Sequence, residues 1–210
     1  DLDTTNVFYA FTAANLFYAD RFGLKQLDEA FTMASRAVHL DVVKYPIAAR
    51  RDSNVNARLA IIYSLLGNIS DTRHEPQQAI DWYEKFVLIN PDSVWISPYH
   101  FRIGSLYLNM NQPDKAVHNL KEAVRLKPEN IEYHTQLTVA LVRSGDAVAG
   151  EAEAKALLRL DSVNVRGTQT LAVAILRQGR YAEAWQWGQR LEKITPPTSW
   201  EAPYFYARWF

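Results

Sequence analysis

Apolar positions in the middle of the chain recur at the i, i+3, i+4 and i+7 spacing of amphipathic helices. The stretch from Tyr99 to Pro128 reads YHFRIGSLYLNMNQPDKAVHNLKEAVRLKP. Ile103 and Tyr107 mark one helix, Ala116, Leu120 and Ala123 a second, and Pro128 stops the second from continuing. The whole pattern returns every 34 positions. Ile103 is followed by Leu137 and Leu171, Gly104 by Thr138 and Ala172, and Tyr107 by Leu141 and Ile175. In the second half Ala116 is followed by Gly150 and Ala184, Ala123 by Leu157 and Leu191, and Pro128 by Ser162 and Pro196. The small residues in these columns predict a close approach of paired helices. Asn111, Gly145 and Gly179 fall where each first helix must stop, at a backbone position suited to positive φ.

Upstream the pattern loosens. Ala79-x-x-x-Tyr83-x-x-Phe86 followed by Pro91 predicts a second helix, and Leu59-Ala60-x-x-Tyr63 with Gly67 predicts its partner. That register leaves about seven residues too many, so NISDTRHE, residues 68–75, is expected to be an inserted loop and Pro76 to lie in the first turn of the following helix. Ala30, Ala34 and Ala37, ending near Asp41, predict the second helix of a still earlier pair, and Ala13-Ala14-x-x-Phe17 the first. Between these pairs lies VVKYPIAARRDSNV, a linker holding Pro46, Arg50 and Arg51, with Asp52 or Ser53 as helix cap. Beyond Pro196 and Pro197, TSWEAPYFYARWF predicts one further helix.

The central unit resembles the tetratricopeptide repeat. His100-x-x-Ile103-Gly104-x-x-Tyr107, Ala116-x-x-x-Leu120-x-x-Ala123 and Pro128 follow that family's W-x-x-L-G-x-x-Y, A-x-x-x-F and P, with His100 and Leu120 replacing the Trp and the Phe. The resemblance implies an all-α, right-handed α-solenoid of about five helix-turn-helix repeats and a C-terminal capping helix. The repeats are expected over residues 7–41, 53–91 (with the inserted loop 68–75), 97–130, 131–164 and 165–197, with the terminal helix at 199–210.

Composition removes several function classes. Hydrophobic residues are 48% and charged residues 22% of 210, a globular balance. Lys plus Arg equals Asp plus Glu at 23 each, so no net basic field points to nucleic acid. No apolar run is long enough to insert directly into a membrane. Cysteine is absent, which removes disulfides and thiolate chemistry while fitting the cytoplasm as well as an oxidising envelope space. Asp1 is not an initiator methionine, which reads as a processed protein or an excised piece. Hence a second reading: an accessory domain of a larger bacterial envelope or glycan-handling membrane protein, with a periplasmic lean.

Catalytic signatures are lacking: no G-x-S-x-G elbow, no H-E-x-x-H pair and no Gly-rich phosphate loop. No catalytic, metal or cofactor-binding residue is therefore expected, and the protein is read as no enzyme. His100 and His134 stand one period apart and are expected to be packing residues, because a metal would need a third ligand. Asp114, Glu122, Glu151 and Glu153 are expected on solvated helix faces or in first turns.

The expected activity is capture of a protein or peptide partner. In the family the first helix of each pair lines the concave side. The corresponding positions here are Phe8, Phe11, Asn15 and Tyr18, then Ala57, Ile61 and Ser64, then Phe101, Ser105 and Leu108. Thr135, Val139 and Val142 follow, and after them Gln169, Val173 and Leu176, with Arg58, Arg102, Arg143 and Arg177 at the rim. Some family members clamp a C-terminal carboxylate with Lys and Asn; only Asn15 matches, so that clamp is not expected. The apolar and neutral row suits an apolar peptide or helix. Trp200, Tyr204, Phe205 and Trp209 form an aromatic end surface through which copies could stack into a homo-oligomer.

Overall fold

The computed structural model of the chain describes residues 24–44, 53–90 and 94–195. Among these residues every regular element is helical, as the periodicity predicts, and the fold is the expected all-α helical repeat. Of the expected linker VVKYPIAARRDSNV, residues 42–44 and 53–55 are helical instead, as the end of one helix and the start of the next. Its middle at 45–52, the first helix of the earliest pair, the ends at Pro91 and Pro196, and the terminal helix at 199–210 lie outside the described residues. The helices are α1 (Leu24–Lys44), α2 (Ser53–Thr72), α3 (Pro76–Ile89), α4 (Ser97–Asn109), α5 (Pro113–Leu126), α6 (Ile131–Ser144), α7 (Ala147–Leu160), α8 (Val165–Arg177) and α9 (Tyr181–Ile194). The chain forms two compact units, Asp1–Tyr99 and His100–Phe210.

In the first unit, α1 lays a stripe of alanines against α2. Ala30, Ala34 and Ala37 are fully buried with Ile62, Leu65, Leu66 and Ile69. Side chains this small bring two helix backbones together, and the branched residues of α2 fill the remaining space. Arg73 closes the far end: it pairs with Asp28 at 3.2 Å and Glu75 at 2.9 Å and lies over the Phe31 ring.

The inserted loop is not there. Residues 68–72 are the last turn and more of α2, because the apolar face continues without a break through Ile62, Leu66 and Ile69, all at most 1% exposed. Only 73–75 turn the chain before Pro76 opens α3 from its first turn, as expected. Gly67, read from sequence as a helix end, sits inside α2. A Cβ there would overlap the Tyr83 ring. Gly104 makes the same approach: its Cβ would lie 2.5 Å from Leu120 Cγ. Both contacts span 16 positions, so Gly67 and Gly104 are equivalent. The offset between them is 37, and it also relates His74 to Asn111, Pro76 to Pro113 and Ala79 to Ala116. The second repeat therefore begins at Ala60 and runs without interruption through α3. The three extra residues are Val94–Ile96, a single short turn before α4, and the surplus length of α2 lies at its N-terminal end.

The turn positions bear this out. His74, Asn111, Gly145 and Gly179 have φ of 59°, 57°, 94° and 77°. All four stop a first helix in the left-handed region, where glycine is easiest and Asn or His is tolerated. In the second unit Asn130, Asp146 and Asn164 cap α6, α7 and α8 by accepting from the backbone N–H of Tyr133, Ala149 and Gly167. Gly150 meets Val142, and Ala172 and Ala184 are fully buried, so the small-residue columns serve close helix approach as expected.

Candidate functional site

In three successive repeats the first and second helices are tied at one recurring pair of positions, and the tie changes its chemistry from repeat to repeat. Tyr63 stacks on Trp82, with ring centroids 5.8 Å apart. His100 Nδ1 meets Asn119 Oδ1 at 3.1 Å. His134 Nδ1 meets Glu153 Oε1, and its Nε2 meets the Pro128 carbonyl at 2.8 Å. His100 and His134 each reach their own second helix, as interior ties rather than plain packing, and among the described residues no group of side chains could hold a metal ion.

Ties between successive repeats are a separate set, and sequence reading missed them. Glu151 is 9% exposed rather than solvated. Lys155 Nζ donates to it at 2.6 Å, and Gln178 and Arg180, from the turn of the following repeat, donate at 2.7 and 2.6 Å. Lys155 foremost, with Gln178 and Arg180, holds the carboxyl down to about 2 against the opposing effect of burial. Arg180 also grips Glu183, so its guanidinium is held further above its ordinary value. The available signal was positional: residue 151 is the place the next turn covers, which no periodicity of apolar residues reveals.

The expected partner surface divides once the helices are in place. Leu108, Val142 and Val173 are 4, 5 and 8% exposed, so they are interior residues and not open lining. Val142 packs with Ala172, Val173 and Ala174 where α8 closes over the end of α6. Leu176 is likewise buried, with Leu171 and Ile175. Phe101, Ser105, Thr135, Val139 and Gln169 stay half-buried, one layer nearer solvent. Phe101 stacks on Tyr133 at 4.8 Å, which fixes its ring. Ser105 Oγ donates to the Phe101 carbonyl and Thr135 Oγ1 to the Ile131 carbonyl. Both hydroxyl protons are thus taken up by the helix backbone.

Arg102, Arg143 and Arg177 are exposed. Arg143 donates to Asn111 Oδ1 at 2.9 Å, and Arg177 to the Val142 carbonyl. Each therefore anchors to the end of the preceding first helix, where a cation complements the helix dipole. In the first unit Ile61 is 51% exposed, Ala57 is exposed and Ser64 half-buried. With the second repeat beginning at Ala60, the positions equivalent to Phe101, Ser105 and Leu108 are Ser64, Asn68 and Asp71, two turns further along the same helix face. Asn68 is exposed and its side-chain oxygen accepts from Tyr83 OH at 2.8 Å. Phe8, Phe11, Asn15, Tyr18, Trp200, Tyr204, Phe205 and Trp209, and the side chain of Arg58, lie outside the described residues.

Residues 97–130 and residues 135–197 each match a tetratricopeptide repeat profile. The first of these ranges coincides with α4, α5 and the turns around them. Among solved structures, the chain is similar to YrrB, described as a tetratricopeptide protein with an unusual peptide-binding site. The TM-score is 0.76 at 18% identity, over 98% of this chain and 94% of that one. It is also similar to MamA, with a TM-score of 0.69 at 14% identity over 91% and 92% of the two chains. A MamA fragment from Desulfovibrio magneticus RS-1 gives 0.63 at 16% identity over 91% and 95%. No curated protein sequence matches the chain.

Proposed function

We propose, on the premise that this chain belongs to the tetratricopeptide repeat family, that it is a non-catalytic scaffold capturing a peptide or helix on the first-helix face of its second unit. The observation that carries this reading is the row Phe101, Ser105, Thr135, Val139 and Gln169. Its members are half-buried and uncharged, and the two hydroxyls are turned inward to the backbone. Such a row supplies apolar area and shape but no proton donor or acceptor of the kind catalysis needs. It suits association, in which a few partly exposed anchors in a rigid frame carry most of the affinity. Phe101, held by Tyr133, is the strongest anchor, since its ring is already ordered before a partner arrives. YrrB, the similar structure described by its peptide-binding site, lends support by analogy of fold alone.

Affinity purification followed by mass spectrometry tests the reading. The wild-type chain and the doubly substituted Phe101→Asp, Val139→Asp chain are compared as bait, with circular dichroism as a check that helicity is equal. Partners that disappear with the substituted bait support the face named here. Partners that remain with it would move the interaction elsewhere on the molecule.

A further inference from the structure

Charge is unevenly divided between the two helix rows of the second unit. Its second helices α5, α7 and α9 carry seven basic and six acidic residues. Its first helices, from His100 onward in α4 and throughout α6 and α8, carry four basic residues and one acidic residue. All four are arginines: Arg102, Arg143, Arg166 and Arg177. Their spacing puts them on the row already described. Arg143 stands eight positions after Thr135 and four after Val139; Arg166 stands three before Gln169; Arg102 three before Ser105. Those intervals keep residues on one helix face.

We propose that the partner captured on this face is an acidic peptide segment, with carboxylates set beside its apolar side chains. This rests on the proposed scaffold reading and adds the partner's chemistry to it. Guanidinium groups match carboxylates bidentately, which a lysine cannot do, and a row of four arginines against the single carboxylate of Glu132, three positions before Thr135, steers and selects an oppositely charged partner. Arg143 is held by the neutral oxygen of Asn111, a bond that orients the guanidinium without cancelling its charge. Arg143 and Arg177 stand one period apart on neighbouring first helices, separated by one interhelical distance, ~8–10 Å. An extended peptide covers that span in about three residues at ~3.3 Å each. The favoured ligand thus alternates apolar residues with carboxylates, its apolar side chains against Phe101 and Val139.

The test uses three fluorescein-labelled peptides of about twelve residues that share one pattern of leucines and carry glutamate, glutamine or lysine between them. Binding to the full chain is followed by fluorescence anisotropy across a salt series. The glutamate peptide is expected to bind about tenfold or more tighter than the glutamine peptide, with an affinity that falls as salt rises, and the lysine peptide weakest. Arg166→Glu and Arg143→Glu should each weaken the glutamate peptide several-fold and narrow its advantage. Arg166 has no part in the described ties between repeats, so it remains informative should Arg143→Glu misfold. Equal binding of the glutamate and glutamine peptides, both lost with Val139→Asp, would overturn the acidic partner and leave the scaffold reading standing. Binding of none of the three, or binding indifferent to Val139→Asp, would overturn both. Equal competition by a thymidine oligonucleotide of matched charge would overturn the peptide in favour of a general polyanion surface.

Discussion

Helix pairs α2–α3 and α4–α5 make one contact with different materials. In the later pair Gly104 meets Leu120, and the family signature around it is nearly complete. In the earlier pair Gly67 meets the larger ring of Tyr83, Ser70 stands where Tyr107 stands, and Tyr63 with Trp82 replaces His100 with Asn119. What the two share is a glycine at the closest approach, a left-handed residue 7 positions later, and a proline 2 beyond that. Backbone requirements of this kind admit few residue types, whereas an aromatic column tolerates any pair of side chains that fills the same space. The geometry therefore persists where the signature fades.

The largest effects should come from breaking that shared contact. Gly67→Leu and Gly104→Leu should each overpack their helix pair and cost about 1–3 kcal/mol in urea unfolding. If Gly67→Leu were neutral while Gly104→Leu was not, the two pairs would not be equivalent. Adding Leu120→Ala to Gly104→Ala should recover part of the loss, since a side chain is what a Cβ meets there.

Next in size is a pH effect confined to the second unit. The Glu151 carboxyl is lowered from 4.5 to about 2 by Lys155, Gln178 and Arg180. A depressed folded-state pKa gives stability that is present above the unfolded value and is lost as pH falls through the folded one. Unfolding midpoints should therefore drop between about pH 4.5 and 2, and Glu151→Gln should remove that part of the dependence while lowering stability at neutral pH. An unchanged acid limb in the variant would show that the staple between these repeats contributes nothing.

The smallest effects belong to the turns. His74→Gly and Asn111→Gly should leave stability unchanged or raise it by up to about 1 kcal/mol, by relieving a left-handed residue. Gly145→Ala should do the opposite, although nothing lies within 4 Å of its absent Cβ, because its φ of 94° is the constraint. Thermal midpoints of the three variants, compared in one buffer, would check the sign of each.

The helical class, the 34-residue period and the turn positions Asn111, Gly145 and Gly179 were legible in the sequence because each follows from apolar spacing or from a φ that few residues accept. The register of the second repeat was not. Leu59-Ala60-x-x-Tyr63 has the spacing of the Leu-Gly-x-x-Tyr step, yet Tyr63 occupies the column of the leading Trp, where His100 stands in the next repeat. Leu66-Gly67 carries the better match to the Leu-Gly step, yet a glycine in mid-helix looks like a stop unless the ring it faces is known. The surface was legible by face and not by depth. Spacing put Phe101 and Leu108 on one side of α4, but only the packing separates a half-buried anchor from a residue 4% exposed. Glu151 was illegible for a related reason: its partners Gln178 and Arg180 lie 27 and 29 positions away, on either side of Gly179, where neither apolar spacing nor a backbone requirement dictates the side chain.

Residues 60–90 are equivalent to 97–127, with no loop interrupting them. Amide hydrogen exchange at Asn68, Ile69, Ser70, Asp71 and Thr72 tests this most directly, since helical amides in a packed pair are protected and loop amides are not. Protection matching that of Ile62 to Leu66 is the result expected. Exchange at the rate of an unstructured chain across those five amides would contradict it.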